Sequence, residues 1–168
     1  MIKALLFDVL GTVVDLSIAD KSDILAYANH IKQDVWQPLT LPSYWEHLPA
    51  FIDSAVGLDI LRKKFTVVTC SNPPLGFLLR LSKNNGLNWD AIVPLELARV
   101  YKTNPAAYQH VADTIGLKPH ECLMVTANRT FGDLEAANSI GMPSMLIDRK
   151  GETGSEVQTL FSLARRLQ

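Results

Sequence analysis

The apolar residues of this chain fall in short, unbroken blocks set far apart, and that spacing restricts the fold more than any other feature. Ala4–Phe7, Thr66–Cys70, Ala91–Val93, Cys122–Val125 and Ser144–Ile147 are β-branched or leucine-rich, and each stops at a polar residue. Continuous runs of this length suit strands buried on both faces, as in a parallel sheet. Helix patterns with readable ends lie between them. Asn104 is placed to cap a helix that has Pro105 at its first position, Ala107, Val111 and Ile115 on one stripe, and Gly116 just past its end. The stretch from Gly132 to Ile140 ends at Gly141 in the same fashion. Ser155 is placed to cap a last helix carrying Leu160, Leu163 and Leu167 on one face. Strands alternating with helices predict an α/β fold, a doubly wound parallel sheet.

At 168 residues the chain reads as one domain, 1–168. Residues 15–55 do not follow the alternation and read as a short, largely helical insertion within it. With 48% hydrophobic residues the chain can bury a full core, and its net charge of −1 advertises neither a nucleic-acid groove nor an anionic membrane. The longest wholly apolar run, Ile24–Ala28, is far shorter than the ~20 residues of a membrane span. Cys70 and Cys122 lie in apolar runs and read as buried free thiols of a reducing compartment. A cytoplasmic domain is expected, monomeric or weakly dimeric, with a small-molecule substrate and no nucleic-acid or membrane partner.

Ligands of open parallel sheets bind at the carboxyl ends of the strands, so the strand ends hold the candidate chemistry. The first block ends in Asp8, followed by Val9-Leu10-Gly11-Thr12, and the second in Ser71-Asn72. The third is followed by Tyr101-Lys102, and the fourth runs into Thr126-Ala127-Asn128 with Asp133 just beyond. A carboxylate, hydroxyls, a cation and an amide from separate segments should meet on one edge. The four histidines are scattered without metal-ligand spacing.

These residues resemble the haloacid dehalogenase superfamily, and within it most closely the L-2-haloacid dehalogenases. Four motifs occur in order: Asp8 with Gly11-Thr12; Ser71-Asn72; Tyr101-Lys102 with Pro105 and Tyr108; and the Asn128 to Asp133 region. The resemblance implies a Rossmann-like core and a hydrolase acting on a small, 2-haloacid-like organic acid. Asp8 would be the nucleophile, forming a covalent aspartyl ester that water then hydrolyses. A nearby Lys102 is expected to keep the Asp8 pKa low, and Thr12 and Ser71 to orient it or the substrate. Asn128 and Asp133 complete the implied catalytic set, and Leu10, Asn72, Tyr108 and Arg129 are expected at the substrate. Tyr108, one turn into an amphipathic helix, reads equally well as core packing.

Two departures bear on the chemistry. The superfamily's phosphatases carry a general-acid Asp two positions after the nucleophile, where this chain has Leu10, which can neither donate nor accept a proton. They also bind Mg²⁺ through acids near the fourth motif, one of which aligns with Asn128. No cofactor and no metal are therefore expected. The alternative is a weak phosphohydrolase holding Mg²⁺ on Asp8, the Leu10 carbonyl and Asp133, or a catalytically impaired binding protein on the same scaffold. The insertion is too short for the large helical cap of the dehalogenases, and no arginine precedes Arg62 to clamp a carboxylate from it. A truncated cap and an open pocket are expected.

Overall fold

The structure is a computed structural model and describes residues 1–168. Its centre is a parallel four-stranded sheet, β1 (Ala4–Phe7), β2 (Thr66–Thr69), β3 (Cys122–Thr126) and β4 (Ser144–Leu146), in the order β2-β1-β3-β4. Ala4 pairs with Thr66 on one side and Cys122 on the other, which brings the ends of β1, β2 and β3 level. β1 is central and wholly buried, so its four residues are all apolar and feed two cores. Leu5 and Phe7 join Val67, Leu123 and Val125 on one face; Ala4 and Leu6 join Val68, Cys122 and Met124 on the other.

The first face is covered by α2 (Ser54–Arg62), α3 (Leu75–Asn85) and α6 (Leu160–Arg166), through Leu58, Leu61, Leu78, Leu81, Leu160 and Leu163. The second is covered by α4 (Pro105–Thr114) and α5 (Asp133–Ser139), through Ala107, Val111, Ala112 and Ala137. This is the doubly wound α/β arrangement that the apolar spacing predicts. Asn104 caps α4 by accepting from Ala106 N, with Pro105 leading the helix.

Two local expectations are corrected. Ala91–Val93 forms no strand: only Ala91 bridges Val68, because the Asp90 side chain occupies the neighbouring Val67 N–H and Pro94 ends the run. Ser155 does not cap the last helix. Thr159 does, accepting from Ser162 N while Ser162 Oγ accepts from Thr159 N, and Ser155 Oγ closes a turn on Val157 N instead.

The insertion leaves and returns at one point. Val14 bridges Ala50, Asp15 N donates to Pro49 O, and Phe51 N donates to Val13 O. Within it lie α1 (Lys21–Ile31), capped by Asp20, and a short 3₁₀ turn over Ser43–His47. Trp45 from that turn is fully buried in the main core, edge-on to Tyr27 of α1 with ring centroids 6.0 Å apart. The insertion is thus packed into the body of the molecule beside the carboxyl edge of the sheet.

Candidate active site

Asp8 follows β1 directly and stays in register, its N–H donating to Val125 O at 3.0 Å. Its side chain then turns from the sheet into a cluster assembled by four segments. Lys102 Nζ donates to Asp8 Oδ1 at 2.9 Å, and Thr12 Oγ1 donates to Asp8 Oδ2 at 2.7 Å. Gly11, with φ of 86°, allows the tight reversal that returns Thr12 to Asp8. The Thr12 hydroxyl also accepts from Ala127 N at 2.8 Å, which ties the first loop to the end of β3.

Lys102 bridges two carboxylates, lying 3.1 and 3.2 Å from the oxygens of Asp133. Asp133 opens α5 and also receives the Tyr108 hydroxyl on Oδ1 and the Thr126 hydroxyl on Oδ2. The side chains of Lys102 and Asp133 are 1% and 0% exposed, whereas Asp8 keeps 12%. Asp8 is therefore the most exposed member of the triad.

One ammonium serves two buried carboxylates, and this sets the electrostatics. Burial opposes the charge on Lys102, but Asp133 and Asp8 outweigh it and hold the lysine well above its ordinary value. For Asp8 burial is the largest influence and pushes its carboxyl up, with Lys102 pulling it back and Asp133 adding to the rise. The expectation of a low Asp8 pKa is thus corrected: desolvation exceeds what one lysine shared with Asp133 returns. The ionised pair is the better description, because Lys102 Nζ and Thr12 Oγ1 each donate to a different oxygen of Asp8. Cys70 lies beside the same cluster, but burial pushes its thiol to about 12, which leaves no thiolate to compete as nucleophile near neutrality.

The other expected site residues divide. Asn72 is buried and fixes the lysine's backbone, accepting from Lys102 N at 2.8 Å. Ser71 is buried two positions past β2. Tyr108 is both core and site, fully buried with its hydroxyl on Asp133. Asn128 turns its carbonyl oxygen to the N–H groups of Thr130 and Phe131, where it shapes its own loop. Leu10, expected at the substrate, instead bridges Val14 and packs in the main core, the natural place for an apolar side chain in a buried turn. Arg129 faces away, half-exposed and 3.6 Å from Glu152, because the Asn128 turn swings it to the surface.

Sequence reading missed Thr126 as a partner of Asp133, although a hydroxyl at a strand end is a legible signal. It also missed Tyr27, whose hydroxyl accepts from Asn72 Nδ2 at 3.2 Å and so brings the insertion to the site. Tyr27 carried no signal, sitting in an apolar run on a helix. A cavity of about 410 Å³ opens beside the cluster, walled by Lys102, Tyr101 and Phe131 from the core and by Trp36 and Lys32 from the insertion. Lys102 Nζ is 5.9 Å from the Phe131 ring centroid, and both residues line the cavity.

Magnesium does not fit this donor set. The Lys102 ammonium lies between Asp8 and Asp133 and donates to both, so a positive charge already stands where a bridging dication would, and no group of three carboxylate, thiolate or imidazole ligands comes together. An octahedral Mg²⁺ needs more oxygen ligation than two carboxylates bridged by an ammonium leave open.

The fold is shared with solved L-2-haloacid dehalogenases. The solved L-2-haloacid dehalogenase PA0810 superposes with a TM-score of 0.80 at 20% identity, over 100% of both chains. A HAD phosphatase from Thermococcus onnurineus superposes with a TM-score of 0.75 at 19% identity, over 99% of this chain and 98% of that one. In sequence the chain is similar to (S)-2-haloacid dehalogenase 4A of Burkholderia cepacia, 29% identical over a 114-residue alignment that covers 66% of this chain. The match takes in 48% of that protein, so the chain spans about half the length of the curated relative it matches. No protein-family model matches the chain.

Proposed function

We propose that the chain is a hydrolase of the L-2-haloacid dehalogenase type, working without metal through Asp8 on a small 2-haloacid-like acid. The observation that carries this reading is the Asp8 carboxylate itself: partly reachable, held at both oxygens, and paired with a buried lysine. Each carboxylate oxygen keeps a lone pair after accepting one hydrogen bond. One of them attacks the carbon bearing the leaving group; a C–O bond forms, the carbon–halogen bond breaks, and halide departs with the electron pair. Water adds to the carbonyl of the resulting aspartyl ester, and collapse releases the hydroxy acid with one water proton on its new hydroxyl, restores the carboxylate and gives the second proton to solvent. Lys102 neutralises Asp8 at rest and supports the negative charge that develops on the tetrahedral intermediate.

Leu10 supports this reading over a phosphohydrolase, since its packing in the core leaves no acid two positions after the nucleophile to protonate a leaving alkoxide. The insertion acts as a reduced cap: α1 reaches the site through Tyr27 but covers it from one side only. A panel of 2-haloacids and phosphate esters, assayed with Mg²⁺ and with EDTA, tests the proposal. Halide release that EDTA leaves unchanged is expected. Phosphate release that appears only with Mg²⁺ would contradict it.

A further inference from the structure

We infer that Arg149, held by Asp53, is a positioning residue that sets Thr12 and, through it, the carboxylate of Asp8. The inference rests on the reading of Asp8 as the nucleophile. Arg149 lies after β4, far along the chain from the first loop, yet its Nε donates to the Thr12 carbonyl at 2.9 Å. Its Nη1 donates to Asp53 Oδ1 at 2.7 Å, and Asp53 Oδ2 accepts from Leu160 N at 2.7 Å, where α6 begins. The guanidinium lies over the Phe51 ring, 4.1 Å from its centroid. Backbone, carboxylate and ring therefore fix this arginine from three sides, and its side chain is 8% exposed.

Thr12 is the part of the loop that touches Asp8, and it is fully buried. Its hydroxyl must point at Asp8 Oδ2 while accepting from Ala127 N, so a small rotation of the Thr12 peptide breaks both contacts. The next residue is held as well, because Val13 O accepts from Ser54 Oγ at 2.7 Å and from Phe51 N at 3.0 Å. Only Arg149 holds the Thr12 carbonyl by a charged, directional donor. A planar guanidinium can serve Thr12 O and Asp53 at once, which a single ammonium cannot do at the same geometry. Neither Arg149 nor Asp53 bonds to Asp8, whose side chain accepts from Thr12 and Lys102, so their effect on Asp8 runs through Thr12.

The test compares Arg149→Met, Arg149→Lys, Thr12→Val and the Arg149→Met/Thr12→Val double variant in the full chain. Two readouts are followed: 2-haloacid turnover, and the amide proton of Ala127 by ¹⁵N NMR, which reports its hydrogen bond to Thr12 Oγ1. In Arg149→Met we expect kcat to fall about 10- to 100-fold with KM little changed, as for a misplaced reacting group. The Ala127 amide should lose its hydrogen-bonded shift as it does in Thr12→Val, and the double variant should be no worse than Thr12→Val alone. Arg149→Lys should share the defect. A folded Arg149→Met with an unmoved Ala127 amide, or losses that multiply in the double variant, would overturn the inference. So would failure of both Arg149 variants to fold, which would make the pair a folding element. Absence of haloacid turnover in the unsubstituted chain counts against the proposed function alone, since the amide readout still decides the role of Arg149.

Discussion

Lys102 carries more of the site than any other side chain, because it is the only cation between two buried carboxylates. Removing it leaves both without a counter-charge in a water-poor cluster, a change that typically costs about 3–5 kcal/mol when one partner of a buried pair is lost. Lys102→Ala should therefore lower stability in urea by that order and reduce turnover by about 10²–10³-fold. Unchanged kinetics in a folded Lys102→Ala variant would remove the lysine from the reaction. Asp8→Asn keeps the volume and one acceptor oxygen but no nucleophilic charge. It should cut turnover by more than about 10³-fold with a native circular dichroism spectrum. Retained turnover in the purified variant would move the nucleophile elsewhere.

Among the elements, α2 and α6 approach closely at Gly57. Gly57 faces Leu160 so closely that a Cβ there would collide with the Leu160 Cβ. Gly57→Ala should therefore destabilise the fold by about 1–3 kcal/mol through overpacking, although alanine has the higher helix propensity. Equal or greater stability in thermal unfolding would show that the helices separate without cost. This contact was invisible in the sequence, where Gly57 is one glycine inside a helix pattern. The legible features were those written in local chemistry: unbroken apolar strands, the Asn104-Pro105 helix start, and charged or polar residues at strand ends. Ala91–Val93 shows the limit of that reading, since three apolar residues before a proline can meet a sheet edge by a single bridge and form no strand. Tyr27, Arg149 and Asp53 show another. Each reaches a partner far away along the chain, and no spacing in the sequence encodes a contact made only when the fold closes. Leu10 and Arg129 were misplaced because a turn, set by residues around them, decided which way each side chain points.

At the scale of the whole molecule, the buried cluster makes stability depend on alkaline pH. Lys102 is held above its ordinary value in the folded state, so its contribution is fully present below the unfolded lysine value of about 10.4. It is lost as pH rises through the higher folded value. Burial raises the hydroxyls of Tyr27 and Tyr108 as well, and these ionise more readily in the unfolded chain above about pH 10, which acts in the same direction. The unfolding free energy from urea titrations should hold steady from pH 8 to 9.5 and then fall, by up to about 1.4 kcal/mol per pH unit for each proton of difference. The fall should be shallower in Lys102→Met; an equal slope in the two proteins would place the alkaline sensitivity outside the cluster. The central claim, that Asp8 becomes covalently linked to substrate, is tested most directly by a single turnover in heavy-oxygen water with enzyme in excess over a 2-haloacid. In one cycle the new hydroxyl oxygen comes from Asp8 and the water oxygen stays on its carboxylate. Mass spectrometry should therefore find the label in the peptide containing Asp8 and the product unlabelled. Label in the hydroxy acid, with an unlabelled Asp8 peptide, would mean that water attacks the substrate directly and would contradict the account.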